Sequence, residues 1–266
     1  RPRASRRRVT RGPRFVQYVA LGDSMSIDLY PALDAGEIDV AVALEWDASA
    51  GTVAPVGAAS LLYRNVDDRY PEFAGNDLVT RNDATRYLNI AEDGATIGDV
   101  FGSQLPQVDA SEDRTLITLS IGGNDLLSAF ANQPVASLLH HVVKDVADAY
   151  EFLVDALRRT RPNSTLVLTT IYDPSDNTRR IPGFFDAAGP LPLEALLDLN
   201  DRIRAIAATH PATRVADVHA HFLGHGVTAS GDDRWYWKRS LIEPGATGAN
   251  EIRRLWLDAL AVDTEV

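Results

Sequence analysis

The segment Tyr18-Val-Ala-Leu-Gly-Asp-Ser-Met-Ser-Ile-Asp28 decides the fold of this chain. An apolar run over residues 15–21 ends abruptly at Gly22, Asp23 and Ser24. A run of this length bounded by a glycine is typical of a buried strand in a parallel sheet. Because ligands of open α/β sheets bind at the carboxyl ends of the strands, we predict that Ser24 stands at the functional edge. The alternative is an ordinary strand-to-helix turn in which Asp23 or Ser24 caps a helix.

The charge of the chain is strongly uneven. Its 266 residues include 26 Lys or Arg and 37 Asp or Glu, a net charge of −11. Residues 1–14 hold seven arginines and no acid, which predicts a basic, disordered extension. The remaining residues 15–266 are therefore strongly acidic, and we expect them to repel nucleic acid and anionic lipid. No nucleic-acid partner is expected.

Length and composition indicate a single domain over residues 15–266, large enough to bury a sizeable core. No apolar stretch is long enough to cross a bilayer, so stable membrane insertion is not expected. No charged-then-apolar leader is visible, which favours the cytoplasm without deciding the location. The chain has no cysteine, which excludes disulfides and thiolate metal sites. No cofactor or metal is expected, and the oligomeric state is left open.

Predicted strands alternate with predicted helices along the chain. This alternation favours a parallel sheet of about five strands with helices on both faces. Residues 34–60 interrupt the pattern and are predicted to form an insertion, either a hairpin or a flap. The predicted strands are 15–21, 87–91, 115–121, 165–171 and 213–218, and the predicted helices are 97–105, 137–159, 193–208 and 246–260, with a further helix that starts at 58–62 and reaches the region of residue 70.

Three polar clusters each follow a predicted strand. They are Gly22-Asp23-Ser24, Asp93-Gly94 and Gly122-Gly-Asn-Asp125. In a parallel sheet all three reach the same edge, where a serine hydroxyl, glycine amides and the Asn124 amide assemble an acyl-transfer site. Ser24 would attack a carbonyl, while the N–H groups of Ser24 and Gly94 and the Asn124 amide stabilise the oxyanion.

These three clusters resemble the sequence blocks of the SGNH, or GDSL-type, hydrolase family. The resemblance implies a flavodoxin-like α/β/α sandwich, serine esterase or lipase-like activity, and no metal. It also implies that Ser24 is the nucleophile and an oxyanion donor, with Gly94 and Asn124 as further donors. Asp125 is interpreted as structural, as a cap of the helix that follows it.

The chain departs from the family at the last block, which is D-x-x-H before the final helix. Here the matching stretch is Ser240-Leu-Ile-Glu243, so Glu243 occupies the position of the histidine. A serine needs a base to become a competent nucleophile, and a carboxylate of ordinary pKa is a weak one. The missing imidazole therefore has to come from elsewhere, or the site is inactive.

The segment His219-Ala-His-Phe-Leu-Gly-His225 follows the last predicted strand and offers substitutes. We predict that His225, flanked by glycines, is the base, with Glu243 orienting its ring and His221 in reserve. The alternatives are a solvent-facing His225 and a Glu243 that only stabilises the last helix. The same spacing also allows a further alternative, which it favours less, in which His219, His221 and His225 form a metal site.

The sequence thus predicts a carboxylic-ester hydrolase that acts through an acyl-enzyme on a small-molecule, lipid or sugar ester. The missing D-x-x-H favours one alternative, a catalytically degenerate module on the same scaffold that binds a carbohydrate or lipid. A nucleotide binder is disfavoured, because no glycine-rich phosphate loop follows a strand. Residues 235–237, Trp-Tyr-Trp, either wall the substrate pocket or anchor their loop on the core.

Overall fold

The computed structural model describes residues 14–39, 53–132, 136–184 and 189–261, without the side chains of 136–139. Nearly all of the predicted basic extension and the centre of the predicted insertion at 34–60 lie outside the described residues. What is described begins just before the first strand and ends with the last helix.

A five-stranded parallel sheet forms the centre of the molecule. Its strands in spatial order are β2, β1, β3, β4 and β5. The strands that follow β1 in the chain are added on either side of it, β2 on one side and β3 on the other. A crevice therefore opens at the carboxyl ends of β1 and β3, where ligands of such folds bind. The strands are β1 (Gln17–Gly22), β2 (Arg86–Asn89), β3 (Thr115–Ser120), β4 (Ser164–Thr169) and β5 (Thr213–Ala216).

Helices cover both faces of the sheet. They are α1 (Leu29–Asp34), α2 (Ala58–Tyr63), α3 (Leu78–Arg81), α4 (Ile97–Asp99), α5 (Gly123–Asn132), α6 (Ala136–Thr160), α7 (Leu193–Thr209), α8 (Val218–Phe222) and α9 (Ala246–Ala261). α4 continues as a π-helical turn over Val100–Gln104 and a 3-10 turn over Leu105–Gln107, and further 3-10 turns span Pro71–Phe73 and Gly231–Asp233.

Alternate side chains of β1 enter two separate cores. Val19 and Leu21 pack in the cluster that includes Tyr150 of α6. Tyr18 and Ala20 pack on the other face, in the cluster that includes Trp256 of α9. Both clusters bury their apolar side chains, and the result is the predicted three-layer α/β/α sandwich. The predicted fold class is confirmed.

Several predicted elements differ from the structure, and among them the helix predicted over 97–105 is α-helical only over Ile97–Asp99. The helix predicted to run from residue 58 toward residue 70 ends at Tyr63. The last strand ends at Ala216, and the residues after it form α8, whose first turn is capped by Asp217 through the N–H of Ala220. Asp217 is itself held by Arg204 of α7, a tertiary contact that local periodicity does not reveal.

Candidate active site

A cavity of about 110 Å³ lies at the carboxyl edge of the sheet. Residues after β1, β3 and β4 line it, together with the segment just before α9. Its polar lining includes Ser24, Asn124 and Glu243. Three loops that are distant in sequence thus converge where the strand order places the crevice.

The turn that carries Ser24 is held rigidly to the sheet. The buried side chain of Gln104 accepts from the N–H of Gly22 and donates to its carbonyl, both at 2.8 Å. The N–H of Asp23 donates to the carbonyl of Ser120 at 2.9 Å, and the Asp23 carboxyl accepts from the N–H of Met25 at 3.1 Å. Asp23 therefore closes a local turn and does not cap a helix, and Ser24 stands in a defined place.

Asp23 is a buried carboxyl group beside Ser24. Burial is the main cause that raises its pKa to about 7, although hydrogen bonds from Met25 and Ser120 oppose the rise. Removing a carboxylate from water disfavours its charged form, and the negative charge of Asp125 adds to that effect. Near neutral pH, Asp23 is therefore present in both its protonated and its charged form.

Asn124 connects the loop after β3 to the loop after β2. Its Nδ2 donates to the carbonyl of Ala95 at 2.9 Å, which ties it to the residue next to Gly94. Gly94 has a φ of +70°, a conformation that favours glycine. Gly94 does not itself line the cavity. Within the described part of the chain, the backbone N–H groups of Ser24 and Gly94 have no hydrogen-bond acceptor.

Asp125 has a structural role, but it acts on a different helix from the one predicted. Its carboxyl accepts from the N–H of Ile97, at 3.3 and 3.2 Å for the two oxygens. It therefore caps the start of α4, whereas the prediction assigned it to the helix that follows it. The bond joins α5 to α4 and so supports the contact between Asn124 and Ala95.

Glu243 lies at the cavity beside Ser24 and is only 8% exposed. Burial is the largest cause that raises its pKa to about 8. A hydrogen-bonding interaction with the Ser24 side chain opposes this rise, and the charges of Asp93 and Asp23 add to it. Glu243, which stands where the sequence blocks predict a histidine, thus lines the same cavity as the serine.

The structure does not bring His225 to Ser24. Its ring stacks on Trp235, with 3.5 Å between ring centroids, and its Nδ1 lies 2.7 Å from the carbonyl oxygen of Asp233. Among the described residues that line the cavity, His225 is absent. The contacts with Trp235 and Asp233 hold the ring in its own loop, and the role of His225 as base stays a prediction without support from the cavity lining.

The other two candidate histidines have separate environments. His221 pairs with Glu251 of α9, Nε2 to Oε2 at 2.8 Å. His219 is buried, and burial lowers its pKa. Neither lines the cavity. Over the ranges that the structure describes, no group of three His, Asp or Glu side chains is placed to hold a metal ion.

The aromatic segment before Glu243 anchors its loop on the core. Tyr236 is 2% exposed and packs edge-on against Tyr172, while Trp235 packs against Phe222. Trp237 lies against Tyr30. None of the three residues 235–237 lines the cavity, so of the two readings the anchor is the one that the contacts support.

A family model described as the GDSL-like lipase/acylhydrolase family matches residues 48–249, more than half of the chain. The chain belongs to this GDSL-like lipase/acylhydrolase family. The matched range contains Gly94, Asn124 and Glu243 and begins after Ser24. The family membership predicted from the sequence blocks is confirmed, and it indicates a hydrolase that acts on esters.

Solved structures of GDSL-type and related hydrolases share this fold. An extracellular lipase from Streptomyces rimosus is 21% identical, with a TM-score of 0.58, over 91% of this chain and 99% of that one. A phospholipase A1 from Streptomyces albidoflavus NA297 is 20% identical, with a TM-score of 0.60, over 91% and 98%. The acetylxylan esterase Axe2 from Geobacillus stearothermophilus is 15% identical, with a TM-score of 0.56, over 95% and 96%. A comparison with curated proteins found no significant match.

Sequence reasoning missed most of the apolar wall of this GDSL-like site. Side chains from α5, α7 and the segment after β4 form it, among them Leu126, Phe130, Ile171, Ile181 and Leu196. The available signal was the group of leucines at 191, 193 and 196 next to the proline-rich loop, which the sequence assigns only to a helix start. In the described ranges, no helix combines the length and apolarity needed to span a membrane.

Proposed function

We propose that this protein is a serine-dependent ester hydrolase in which Ser24 is the nucleophile. The observation that carries the proposal is the convergence of Ser24, Asn124 and Glu243 on one cavity at the sheet edge. Membership of the GDSL-like family supports ester hydrolysis as the reaction class.

In this proposal the Ser24 Oγ attacks the ester carbonyl carbon and forms a tetrahedral intermediate. The ester C–O bond then breaks, the alcohol leaves, and the acyl group remains on Ser24 until water releases it. The oxyanion is stabilised by the N–H groups of Ser24 and Gly94 and by the amide of Asn124. The lack of acceptors for those two N–H groups in the described part of the chain supports this role.

The test is covalent labelling with a fluorophosphonate, which requires an activated serine, combined with turnover of p-nitrophenyl esters. We expect a single adduct on Ser24 and measurable turnover. The absence of both would favour the second candidate, a module that binds a carbohydrate or lipid without turnover. The observation that favours that candidate is that no imidazole lines the cavity among the described residues.

The acyl half of the substrate is proposed to be an apolar chain of medium length. The cavity is lined mainly by Leu, Ile, Phe, Pro and Met side chains, which suit a hydrocarbon better than a sugar. Each buried methylene contributes about 0.8 kcal/mol. We therefore expect hexanoate and octanoate esters to have a higher kcat/KM than acetate esters.

Two neighbouring leucines of α7 provide a matched test of that preference. Leu196 lines the cavity, whereas Leu197 is exposed and does not. We expect Leu196→Trp to lower kcat/KM for the octanoate ester by about 10-fold or more, because it fills space the chain needs. Turnover of the acetate ester and the Leu197→Trp variant should stay close to wild type. An equal loss for acetate and octanoate in Leu196→Trp would contradict the assignment.

Removal of the proposed side-chain oxyanion donor gives a further prediction. Asn124→Ala is expected to lower kcat by about 10²–10³-fold with little change in KM, since the lost hydrogen bond forms chiefly in the transition state. Asn132→Ala is the control, because that asparagine lies at the end of the same helix and donates to the carbonyl of Ser128 within it. A rise in KM at constant kcat would instead assign Asn124 to ground-state binding.

A further inference from the structure

We propose that Glu243 is the general base that takes the proton of the Ser24 hydroxyl, in the place where the GDSL-like family has a histidine. This inference rests on the proposed function, because it assigns the proton acceptor of the same reaction. It follows from the place of Glu243 at the cavity, because the other two carboxyl groups of the lining, Asp23 and Asp173, accept hydrogen bonds from backbone N–H groups.

The backbone holds Glu243 firmly. Its carbonyl accepts from the N–H of Trp237 at 2.9 Å, and its N–H donates to the carbonyl of Ser240 at 3.0 Å. Pro244 pairs with Tyr236 in an isolated bridge. The carboxyl is thereby carried on a short loop that is closed on itself and anchored by a buried tyrosine.

One carboxyl oxygen of Glu243 is left available. Oε2 is buried and has no hydrogen-bond partner among the described residues. Ser24 lines the same cavity as this carboxyl, and its side chain lowers the pKa of Glu243. A buried polar atom without a partner is costly, so its retention next to a serine points to a functional role. A carboxyl that only stabilised the last helix would be expected to accept from the N–H groups at that helix start. The N–H of Ala246 instead donates to Asp34.

Among the described residues, the charged groups that shift the pKa of Glu243 are acidic. Asp93 and Asp23 raise its pKa by repulsion. The hydroxyl groups of Tyr30 and Tyr172 are also within electrostatic reach, and both remain neutral at neutral pH because burial raises their pKa. Tyr30 donates to Asp93 at 2.8 Å, and Tyr172 donates to the carbonyl of Ile242 at 2.6 Å, so neither hydroxyl donates its proton to Glu243.

A carboxyl group in these surroundings is a stronger base than an ordinary glutamate. General bases work best when their pKa lies near the working pH, and burial is one means by which proteins raise a glutamate into that range. In the acylation step the proton passes from Ser24 Oγ to Glu243 as the Oγ–C bond forms. Glu243 then returns it to the departing alkoxide as the ester C–O bond breaks. In deacylation water takes the place of Ser24 as the nucleophile and gives its proton to Glu243. Glu243 then returns the proton to the departing Ser24 Oγ, which restores the carboxylate.

The experiment is the pH dependence of fluorophosphonate labelling and of ester turnover in wild type and Glu243→Gln. Only the ionised carboxylate accepts a proton, so wild-type rates should rise with pH through about 8 and then level off. Glu243→Gln should lower the rates of labelling and turnover by about 10²–10⁴-fold, and its rates should no longer rise with pH. His221→Ala and His225→Ala should keep the wild-type profile. The assignment is overturned if the rates of either histidine variant no longer rise with pH, or if those of Glu243→Gln still do.

A readout independent of activity checks the protonation state. The pKa of Glu243 is higher in the folded protein than in the unfolded chain, so wild-type stability should fall as the pH rises from about 4.5 to 8 and then level. Glu243→Gln lacks this loss, so the melting temperature of the variant should rise relative to that of wild type as the pH increases from about 5 to 8. A difference between the two melting temperatures that does not change with pH would overturn the assignment. Wild type that neither labels nor turns over would instead defeat the proposed function itself.

Discussion

Replacing Ser24 with alanine is expected to abolish ester turnover, with a loss of about 10⁴–10⁶-fold in kcat, because no acyl-enzyme can form without the hydroxyl. Ser24 is only 8% exposed and lies on a turn held by backbone bonds, so removal of its Oγ should leave the fold intact. The measurement is steady-state hydrolysis of p-nitrophenyl hexanoate, together with fluorophosphonate labelling followed by intact mass.

Ser26 provides the matched control, two residues further along the same turn. Its hydroxyl is buried and bonds with that of Ser120 at 2.8 Å, away from the role assigned to Ser24. Ser26→Ala should cost about 1 kcal/mol of stability through the lost hydrogen bond, and it should still label and turn over. Equal turnover in wild type and Ser24→Ala would remove Ser24 from the mechanism.

The largest effect on stability is expected from Gly22→Ala. Gly22 ends β1 with a φ of +123°, and a Cβ there would lie 1.9 Å from the carbonyl oxygen of Ser120 on β3. Backbone cannot give way by that amount without breaking the pairing of β1 with β3. We expect a loss of about 4 kcal/mol or more in the free energy of unfolding, measured by urea denaturation, and a matching loss of activity.

Gly36 separates the two causes of that loss. Its φ is also positive, at +72°, but a Cβ there would meet nothing within 4 Å. Gly36→Ala should therefore cost only the conformational term, about 1–2 kcal/mol. Equal destabilisation of both variants would show that the close approach of Gly22 to Ser120 does not cause the loss of stability.

Local sequence was sufficient to predict the sheet. The apolar runs that become β1 and β3 are buried at every position, and a strand buried on both faces needs an unbroken run of apolar or small side chains. The polar residues at their ends, such as Ser24 and Asn124, were predictable for the same reason. Ser24 and Asn124 lie within a few residues of the ends of β1 and β3, so the parallel order of the sheet brings them to one edge.

Sequence determined by itself that a serine and an asparagine amide meet at the carboxyl edge of a parallel sheet, because strand period and chain order are local properties. Tertiary structure alone decided which side chain accompanies them. Glu243 and His225 are both near the last helix in sequence, yet loop packing brings the first to Ser24 and stacks the second on Trp235. The side chains of α5 and α7 that line the cavity were likewise decided by packing. Contacts between distant loops depend on the whole core, and no short stretch of sequence encodes them.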